Sequence, residues 1–378
     1  MIRLRILHLV SPCDGSLAAA GALHLMNWLV DNGHDTALLT TGGDRLHEVD
    51  PKAIEIIRYQ PRPLTWLLGG KREFVRRVEG WNPDLIHVHH LESLPVALAA
   101  ARALSLPVVA SADGLEPEHL APPVLDPLVA WVTVPSEVHR AHFVSRLGIP
   151  RDKVAVMPVG VDLRRVTAQL QRLEDQPPVI GFVGDLALSA GVGDLIEALG
   201  VLRAADVACS AVLIGSGPDE AVLRARAQEL GLDASIRFRP RDASLGELVS
   251  GIDLLVNPAH QDQLAPVVLE AMAAARPVVA AAGGGVTELV HDGKTGLLVP
   301  PRDVAALAAA LRTLVVDRSR IRALGQAARS LVAERFDLNL IGQVAQELYR
   351  HAAAGLATSS ARAEGASVYR RITDKHRS

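Results

Sequence analysis

The chain has 378 residues, enough for two domains that each bury a core of their own. Apolar residues make up 49% and charged residues 21%, and the formal net charge of -3 excludes both a basic nucleic-acid-binding protein and an acidic disordered chain. The two cysteines, Cys13 and Cys209, are too few for a disulfide framework or a multi-cysteine metal site.

The first ten residues predict a strand, because Arg3 and Arg5 alternate with Ile and Leu. They lack the long apolar stretch and small-residue cleavage site of a signal peptide. The most apolar later stretch, Leu94–Leu104, is much shorter than the roughly 20 residues that a membrane-spanning helix needs. We therefore expect a cytoplasmic protein, either soluble or peripheral at the inner face of the membrane.

Short β-branched runs alternate with longer Ala- and Leu-rich segments along the chain, which is typical of βαβ units around a parallel sheet. An amphipathic helix is predicted between the first two runs, opening at Ser16 and stopping at Gly33. Seven strands are predicted in the first half: Arg3–Leu9, Thr36–Thr40, Ile54–Arg58, Leu85–Val88, Val108–Ser111, Val132–Val134 and Val154–Met157.

A polar, proline-containing stretch from Glu174 to Pro178 predicts a linker. Beyond it Arg302–Arg350 is predicted to be helical in about three pieces. Six further strands are predicted after the linker: Val179–Val183, Ala211–Ile214, Ile236–Phe238, Leu254–Asn257, Val278–Ala281 and Leu297–Val299.

This pattern predicts two Rossmann-like, doubly wound α/β domains, at residues 1–165 and 166–336. A helix at 337–356 is expected to pack back on the N-terminal domain, and the tail at 357–378 is expected to be mobile from its composition. Ligands of open parallel sheets bind outside the carboxyl ends of the strands. The loops that follow the strands are therefore where functional residues are expected.

The most informative segment runs from residue 257 to residue 300. A strand ends at Pro258, a polar loop holds Asp262, and Pro266 is well placed to open a helix that carries Glu270 in its second turn. The amide groups at the start of a helix favour an anion. The segment thus predicts a site for a negatively charged, polyhydroxylated ligand.

This segment resembles the signature of the retaining group 1 (family 4-like) glycosyltransferases of GT-B fold. In that family an acidic residue, seven residues and a glutamate precede an AMA sequence, a PVVA strand, a GG..E turn and a DG..G.LV hairpin. The likeness extends through most of the chain, from the loop at 11–15 to Phe336. The motif positions are Asp262, Glu270, Ala271–Ala273, Pro277–Ala280, Gly284, Gly285, Glu288, Asp292, Gly293, Gly296, Leu298 and Val299.

The resemblance implies two Rossmann-like domains that face a central cleft, with the acceptor on the N-terminal side and the nucleotide sugar on the C-terminal side. It implies a nucleotide-diphosphate sugar as donor substrate, no cofactor and no metal. Asp262 and Asp113 are the implied catalytic residues, in positions where the family carries a glutamate and a histidine. The implied donor-binding residues are Gly184, Ala265, Pro266, Val267, Glu270, Gly284, Gly285 and Glu288.

Each of these positions also has a purely structural interpretation. Asp262 could cap a helix, Glu270 could be a solvated helix residue, and Gly283–Gly285 could form a plain left-handed turn. For Glu270 and the glycines, the surrounding family pattern favours the functional interpretation. For Asp262 the two interpretations stay open.

A further departure from the family, beside those at Asp113, Asp262 and Ala265, falls on the diphosphate contacts. The GR.....KG motif, whose arginine and lysine contact the donor diphosphate in the family, has Asp185 and Ala190 at those two positions. Charge-assisted contacts to a phosphate contribute roughly 1.5–3 kcal/mol each, so their loss should slow transfer unless another cation substitutes. The candidate substitutes are Arg239, Arg241, His260 and Lys294.

Three other patterns have a structural as well as a functional interpretation. Gly215–Pro218 follows a strand but lacks the third glycine of a dinucleotide-binding fingerprint. His87, His89 and His90 are expected to line a cleft or the core rather than to bind metal. The basic, aromatic segment 62–81 would suit an anionic membrane surface, or else a helix packed on its own sheet with a solvated basic face.

Three functions remain in competition. The first is an active retaining transferase acting on a glycan or lipid-linked acceptor, with no nucleic acid as partner. The second is a catalytically impaired relative that serves as a binding or scaffold subunit, supported by Asp185 and Ala190. The third is a sugar-nucleotide epimerase of the same fold. The sequence does not identify the donor base, the sugar, the acceptor or the oligomeric state.

Overall fold

A computed structural model describes residues 2–13, 17–59, 70–112, 114, 121–164, 166, 176–240, 249–260, 266–355 and 367–375. The chain forms two compact units. Unit 1 comprises Met1–Gly160 and Asp337–Ser378, and unit 2 comprises Val161–Phe336. The chain therefore leaves unit 1 after residue 160, slightly before the predicted boundary at 165. It returns to unit 1 at residue 337.

Unit 1 is built on a seven-stranded sheet in which all neighbouring strands are parallel. Its order is β3-β2-β1-β4-β5-β6-β7, so β4 is the central strand and the direction of winding reverses between β1 and β4. The seven predicted strands are confirmed, with small changes at their ends. They are β1 Arg5–Leu9, β2 Asp35–Thr40, β3 Glu55–Arg58, β4 Leu85–Val88, β5 Val108–Ser111, β6 Val129–Val134 and β7 Val154–Val156.

The helices of the first part of unit 1 lie between these strands. The predicted stop at Gly33 is confirmed: the first helix ends at Asp31, and Gly33 takes a left-handed φ of +82°. Its predicted opening residue, Ser16, lies outside the described residues. These helices are α1 Leu17–Asp31, α2 Lys71–Trp81, α3 Leu94–Leu104, α4 Ala121–Val124 and α5 Glu137–Ser145.

Unit 2 holds a second parallel sheet, six strands in the order β10-β9-β8-β11-β12-β13. The six predicted strands are again confirmed. They are β8 Val179–Val183, β9 Ser210–Ile214, β10 Ile236–Arg239, β11 Leu254–Asn257, β12 Val278–Ala281 and β13 Gly296–Val299. The helices are α6 Val192–Ala204, α7 Glu220–Glu229, α8 Pro266–Ala273, α9 Val286–Leu289, α10 Val304–Val315 and α11 Arg318–Arg335.

The last helices of the chain belong to unit 1. The longer, α12 (Leu338–Ala353), packs against α1, where Trp28 Nε1 donates a hydrogen bond to Asn339 Oδ1 at 3.0 Å. With α10 and α11, it confirms the predicted three helical pieces between residues 302 and 350. Its buried face completes the apolar core over strands β1, β4, β5 and β6.

The expected mobile tail needs a correction. Val368–Lys375 forms a helix, α13, that packs against α12 and β7. Val368 is fully buried and Tyr369 is 7% exposed, so both join the core of unit 1. The basic residues of the tail predicted mobility, whereas Val368 and Tyr369 are the residues that anchor its helix in the core. Residues 356–366 and 376–378 lie outside the described part, as do residues 174 and 175 of the predicted linker.

The basic segment at 62–81 is described from residue 70 onwards. Its helix, α2, buries Phe74, Val78 and Trp81 in the core of unit 1, and Arg5 stacks 4.6 Å above the Trp81 ring. The apolar face of α2 is therefore already covered by the core of unit 1, including α3. Among the described helices, none is long and apolar enough to cross a membrane.

Candidate functional site

The winding of the unit 2 sheet reverses between β8 and β11, its two central strands. In open parallel sheets, the loops at the carboxyl ends of such a pair diverge and leave a crevice for ligands. In unit 2 these loops are Gly184–Gly191, which follows β8, and residues 258–265, which follow β11. We call Gly184–Gly191 the switch loop.

Glycines in the next βα loop hold one side of the switch loop. A Cβ on Gly215 would lie 1.9 Å from Gly184 O, and one on Gly217 would lie 2.5 Å from Leu186 O, so only glycine fits at either position. Leu186 N donates to Ser216 O at 3.0 Å. The Gly215–Pro218 motif, which resembles part of a dinucleotide fingerprint, therefore serves to pack one loop against another.

The other side of the switch loop packs against the end of β11. Gly191 has a φ of +75°, and a Cβ there would lie 2.0 Å from Pro258 O. Asp219 Oδ2 accepts a hydrogen bond from Leu188 N at 2.7 Å. The loop thus has contacts with both neighbouring loops, and its shape is set before any ligand arrives.

Glu270, a predicted donor-binding residue, lies in α8, the helix that follows β11. It is 9% exposed, in a helix whose other described side chains are apolar and buried. A carboxylate is seldom buried to this degree unless it has a structural or functional partner. This burial speaks against the interpretation of Glu270 as a solvated helix residue.

The predicted glycine turn precedes the short helix α9. Gly284 adopts a left-handed φ of +52°, and its carbonyl accepts a hydrogen bond from Thr287 Oγ1 at 2.8 Å. Gly285 is buried, whereas Gly284 and Glu288 are partly exposed. A left-handed φ favours glycine at 284 whether the turn binds the donor or is only structural, so the donor-binding role of Gly284 and Gly285 stays a prediction.

Several predicted residues cannot be placed. Asp262, Ala265 and Asp113 lie outside the described residues, as does the side chain of Pro266. Val267, in the first turn of α8, is 5% exposed and lies in the core. Gly184 directly follows β8, where its amide donates to Ile214 O at 3.0 Å.

The four candidate substitute cations lie in different places in the sheet. Lys294 comes just before β13, at the amino edge of the parallel sheet and opposite the switch loop. Arg239 ends β10, the edge strand, two strands away from β8. Arg241 lies outside the described residues. His260 lies three residues after the end of β11, on the loop beside the switch loop.

His260 is held there by a carboxylate. Its Nε2 lies 2.6 Å from Oδ2 of Asp194, in the first turn of α6, and both side chains are partly buried. His260 was predicted as a candidate cation, but its partner Asp194 was not predicted. An acid in the first turn of a helix is common for electrostatic reasons, so nothing in the sequence marked it as the partner of a residue 66 positions away.

The winding of the unit 1 sheet reverses between β1 and β4, and there three histidines form a buried cluster. His8 and His87 are paired in the register of the two strands, and His89 follows at the carboxyl end of β4. His8 Nδ1 lies 2.9 Å from His89 Nε2. Of the two predicted locations, a cleft or the core, His87 and His89 lie in the core, and the sequence analysis did not single out His8.

A hydrogen-bonded row extends from His87. Its Nδ1 lies 2.6 Å from the Tyr349 hydroxyl, and its Nε2 lies 2.8 Å from Ser111 Oγ, which in turn is 2.6 Å from Thr133 Oγ1. Burial lowers the pKa of His8 to about 3. Burial, with the neighbouring histidines, also holds the pKa values of His87 and His89 well below the usual range. The cluster is therefore uncharged at neutral pH.

Within the described part of the chain, these three histidines could also hold a metal, since their nitrogens lie within 4.8 Å of one another. A coordinating nitrogen must offer its lone pair, and both nitrogens of His87 already have hydrogen-bond partners. Binding a metal would require one of those bonds to break. The arrangement fits a hydrogen-bonded network better than a ligand set.

Comparison with known families covers most of the chain. The model of the glycosyl transferases group 1 matches residues 166–331, and that of glycosyltransferase family 4 matches residues 18–165. The chain is 31% identical to a D-inositol 3-phosphate glycosyltransferase of Corynebacterium efficiens, over 67% of this chain and 68% of that protein. It is 28% identical to a 2-deoxystreptamine glucosyltransferase of Streptomyces kanamyceticus, over 67% of this chain and 73% of that protein.

Other relatives are matched over a smaller share of their length: the chain spans 61% of a Mycobacterium tuberculosis glycogen synthase, with 28% identity. Among solved structures, a Rickettsia africae glycosyltransferase superposes with a TM-score of 0.81 and 19% identity, covering 93% of this chain and 98% of the other. Anabaena HepE, solved in complex with UDP-glucose, superposes with a TM-score of 0.78 and 21% identity, covering 94% and 100%. The predicted GT-B fold class, with two Rossmann-like α/β domains, is confirmed. The chain belongs to the group 1 glycosyl transferases, with a first half of the family 4 type.

Proposed function

We propose that this protein transfers a glycosyl group from a nucleotide-diphosphate sugar to an acceptor, with retention of the anomeric configuration. The observation that carries the proposal is the buried Glu270 in the helix after β11, beside the point where the unit 2 sheet reverses. Family membership supports it, as does UDP-glucose in the solved structure of HepE.

In this proposal, unit 2 binds the donor. The Glu270 carboxylate accepts hydrogen bonds from the ribose hydroxyls, and backbone amides at the switch loop and at Gly284 and Gly285 face the diphosphate. The negative charge that develops on the leaving diphosphate increases as the glycosidic bond breaks, so these contacts strengthen towards the transition state. The leaving phosphate can itself take the proton of the acceptor hydroxyl, so no protein base is required.

The roles of Asp262 and Asp113 remain proposals of the same kind. Asp262 would stabilise the positive charge that develops on the sugar, and Asp113 would accept a hydrogen bond from a sugar hydroxyl. Unit 1 would hold the acceptor, a glycan or a lipid-linked sugar. These assignments rest on the resemblance and on the position of each residue after a strand.

Replacing Glu270 by Gln should weaken donor binding roughly 10- to 100-fold, because a charged acceptor contributes about 1.5–3 kcal/mol to a hydrogen bond. Calorimetric titration with UDP-glucose, GDP-mannose and ADP-glucose measures this. Glu229→Gln is the matched control, since Glu229 is an exposed residue of the same unit that pairs with Arg226 on α7. A native protein that binds none of the three donors, or a Glu270→Gln variant with native affinity, would contradict the proposal.

A second candidate function is a binding or scaffold subunit that no longer transfers sugar. Asp185 favours it, because this exposed carboxylate lies in the switch loop and repels a diphosphate. Ala190, in the same loop, offers no charge. Product analysis by NMR, with donor and a panel of acceptors, separates the two functions and reports the anomeric configuration.

The double variant Asp185→Arg, Ala190→Lys should bind the donor at least tenfold more tightly than the native protein, since it adds two cations and removes an anion. Calorimetry at constant ionic strength measures the gain, and Asp185→Asn shows how much comes from removing the negative charge alone. Unchanged affinity in the double variant would mean that the diphosphate does not contact the switch loop.

A further inference from the structure

We propose that His260, oriented by Asp194, is the cationic side chain that contacts the donor diphosphate in this protein, in place of the cations missing at Asp185 and Ala190. This inference rests on the proposed function and assigns a residue to it. It predicts that donor binding is coupled to the uptake of a proton, which a site built from arginine and lysine would not show.

The position of His260 comes from the packing of two loops. Pro258, two residues earlier, has its carbonyl against Gly191, so the chain that leaves β11 runs directly along the switch loop. Asp194, three residues after Gly191, then reaches His260 at 2.6 Å. Of the described candidate cations, His260 is the one beside the strand pair where the sheet reverses.

The hydrogen bond to Asp194 determines which ring nitrogen carries the proton. A carboxylate can only accept, so His260 Nε2 is the donor in this pair. In the neutral imidazole, Nδ1 then has a lone pair, which would repel a phosphate oxygen. Only the imidazolium can donate from Nδ1 to a phosphate while Nε2 still donates to Asp194.

Acidic side chains lie on the loop of His260 and on the elements beside it. Asp194 faces it from α6, Asp185 lies on the adjacent switch loop, and Asp219 lies beyond that loop, on the loop after β9. Asp262 follows two positions later on the same loop, outside the described residues. An imidazolium among these acids offsets their repulsion of the donor, and the bound diphosphate adds two more negative charges beside it.

Calorimetric titration with UDP-glucose between pH 6.0 and 8.0 tests the proposal. A sugar-nucleotide diphosphate does not itself titrate in this range, so a pH-dependent affinity reports on the protein. The native protein should bind roughly tenfold more tightly at pH 6.0 than at pH 8.0. Titrations in buffers of different ionisation heat should show uptake of a proton on binding at pH 7.5.

Three variants test whether His260 is the residue that takes up the proton when the donor binds. His260→Gln should bind weakly and with no pH dependence, and His260→Arg should bind tightly with no pH dependence. Asp194→Asn should weaken donor binding, because the ring loses the carboxylate that orients it. His291→Gln is the matched control, since His291 precedes β13 at the opposite edge of the same sheet. Thermal unfolding verifies that each variant is folded.

The outcomes separate the two proposals. If the native protein binds UDP-glucose with an affinity independent of pH, or if His260→Gln keeps the native pH dependence, the role of His260 is wrong and the proposed function stands. If the native protein binds neither UDP-glucose nor GDP-mannose nor ADP-glucose, the proposed function fails and the role of His260 fails with it. If only GDP-mannose or ADP-glucose binds, the same titrations with that donor decide the role of His260.

Discussion

Unit 1 should lose stability steeply as the pH falls below 6.5. In the folded protein His8, His87 and His89 are neutral, because burial holds the pKa of His8 at about 3 and those of the other two well below the usual range. In the unfolded chain, each histidine takes up a proton near pH 6.5. The unfolded state therefore binds more protons below that pH, so the free energy of unfolding decreases on acidification.

The expected size is large. Three protons taken up on unfolding correspond to a loss of up to about 4 kcal/mol per pH unit, or on the order of 6 kcal/mol between neutral pH and pH 5. Burial also lowers the pKa of His34, which adds to the effect. The ion-paired Asp35 and Asp126 have lowered pKa values too, and their contribution is lost at more acidic pH, as they become protonated. The histidines therefore lower the free energy of unfolding at a higher pH than these carboxylates do.

Tryptophan fluorescence provides a probe specific to unit 1, because all four tryptophans, Trp28, Trp66, Trp81 and Trp131, lie before residue 160. Urea unfolding at pH 7.5, 6.0 and 5.0 gives the dependence of stability on pH. Nitrogen-15 NMR of the histidine rings gives the protonation state in the folded protein directly. A ring of the cluster that becomes protonated above pH 5 while the protein remains folded would contradict the prediction.

Gly342→Ala should destabilise unit 1 by about 3 kcal/mol, the upper part of the range for overpacked cores. Gly342 lies on the face of α12 that meets α1, and a Cβ there would lie 2.2 Å from the Trp28 ring. The helix cannot move away cheaply, because Asn339 accepts a hydrogen bond from the same ring. Urea unfolding followed by tryptophan fluorescence measures the loss.

A matched substitution controls for helix propensity. Gly80 lies in α2, exposed and with open space around it, so Gly80→Ala should be neutral or should stabilise by about 0.5–1 kcal/mol. Combining Gly342→Ala with Trp28→Ala should cost less than the sum of the two single changes if steric overlap is the cause. Additive costs would show that Gly342 acts in some other way.

Most of the fold could be predicted from the sequence, because the strands are short apolar runs, many of them β-branched, bounded by turn residues. The 13 predicted strands all occur, and the glycine that stops α1 is where the pattern placed it. The helix Val368–Lys375 was not predicted, since its order comes from two side chains buried against distant elements. Local composition carries no record of such contacts.

The candidate site was predictable in part. The loops after β8 and β11 could be identified, because parallel strands place their carboxyl ends at one edge. The side chains that hydrogen-bond to the site residues could not be identified from the sequence. Asp194 reaches His260 across 66 residues, and Tyr349 reaches His87 across 262, so these pairs exist only once the sheet order is known. Lys294, a reasonable candidate in the sequence, lies at the opposite edge of its sheet.

The route of the chain sets an order for biosynthesis. The core of unit 1 needs α12, whose Tyr349 and Gln346 bond to His87 and His34 far earlier in the chain. Between them the ribosome must produce the whole of Val161–Phe336. The second unit is therefore complete while the first still lacks its closing helix, and until then the nascent chain leaves the apolar surface beneath that helix uncovered.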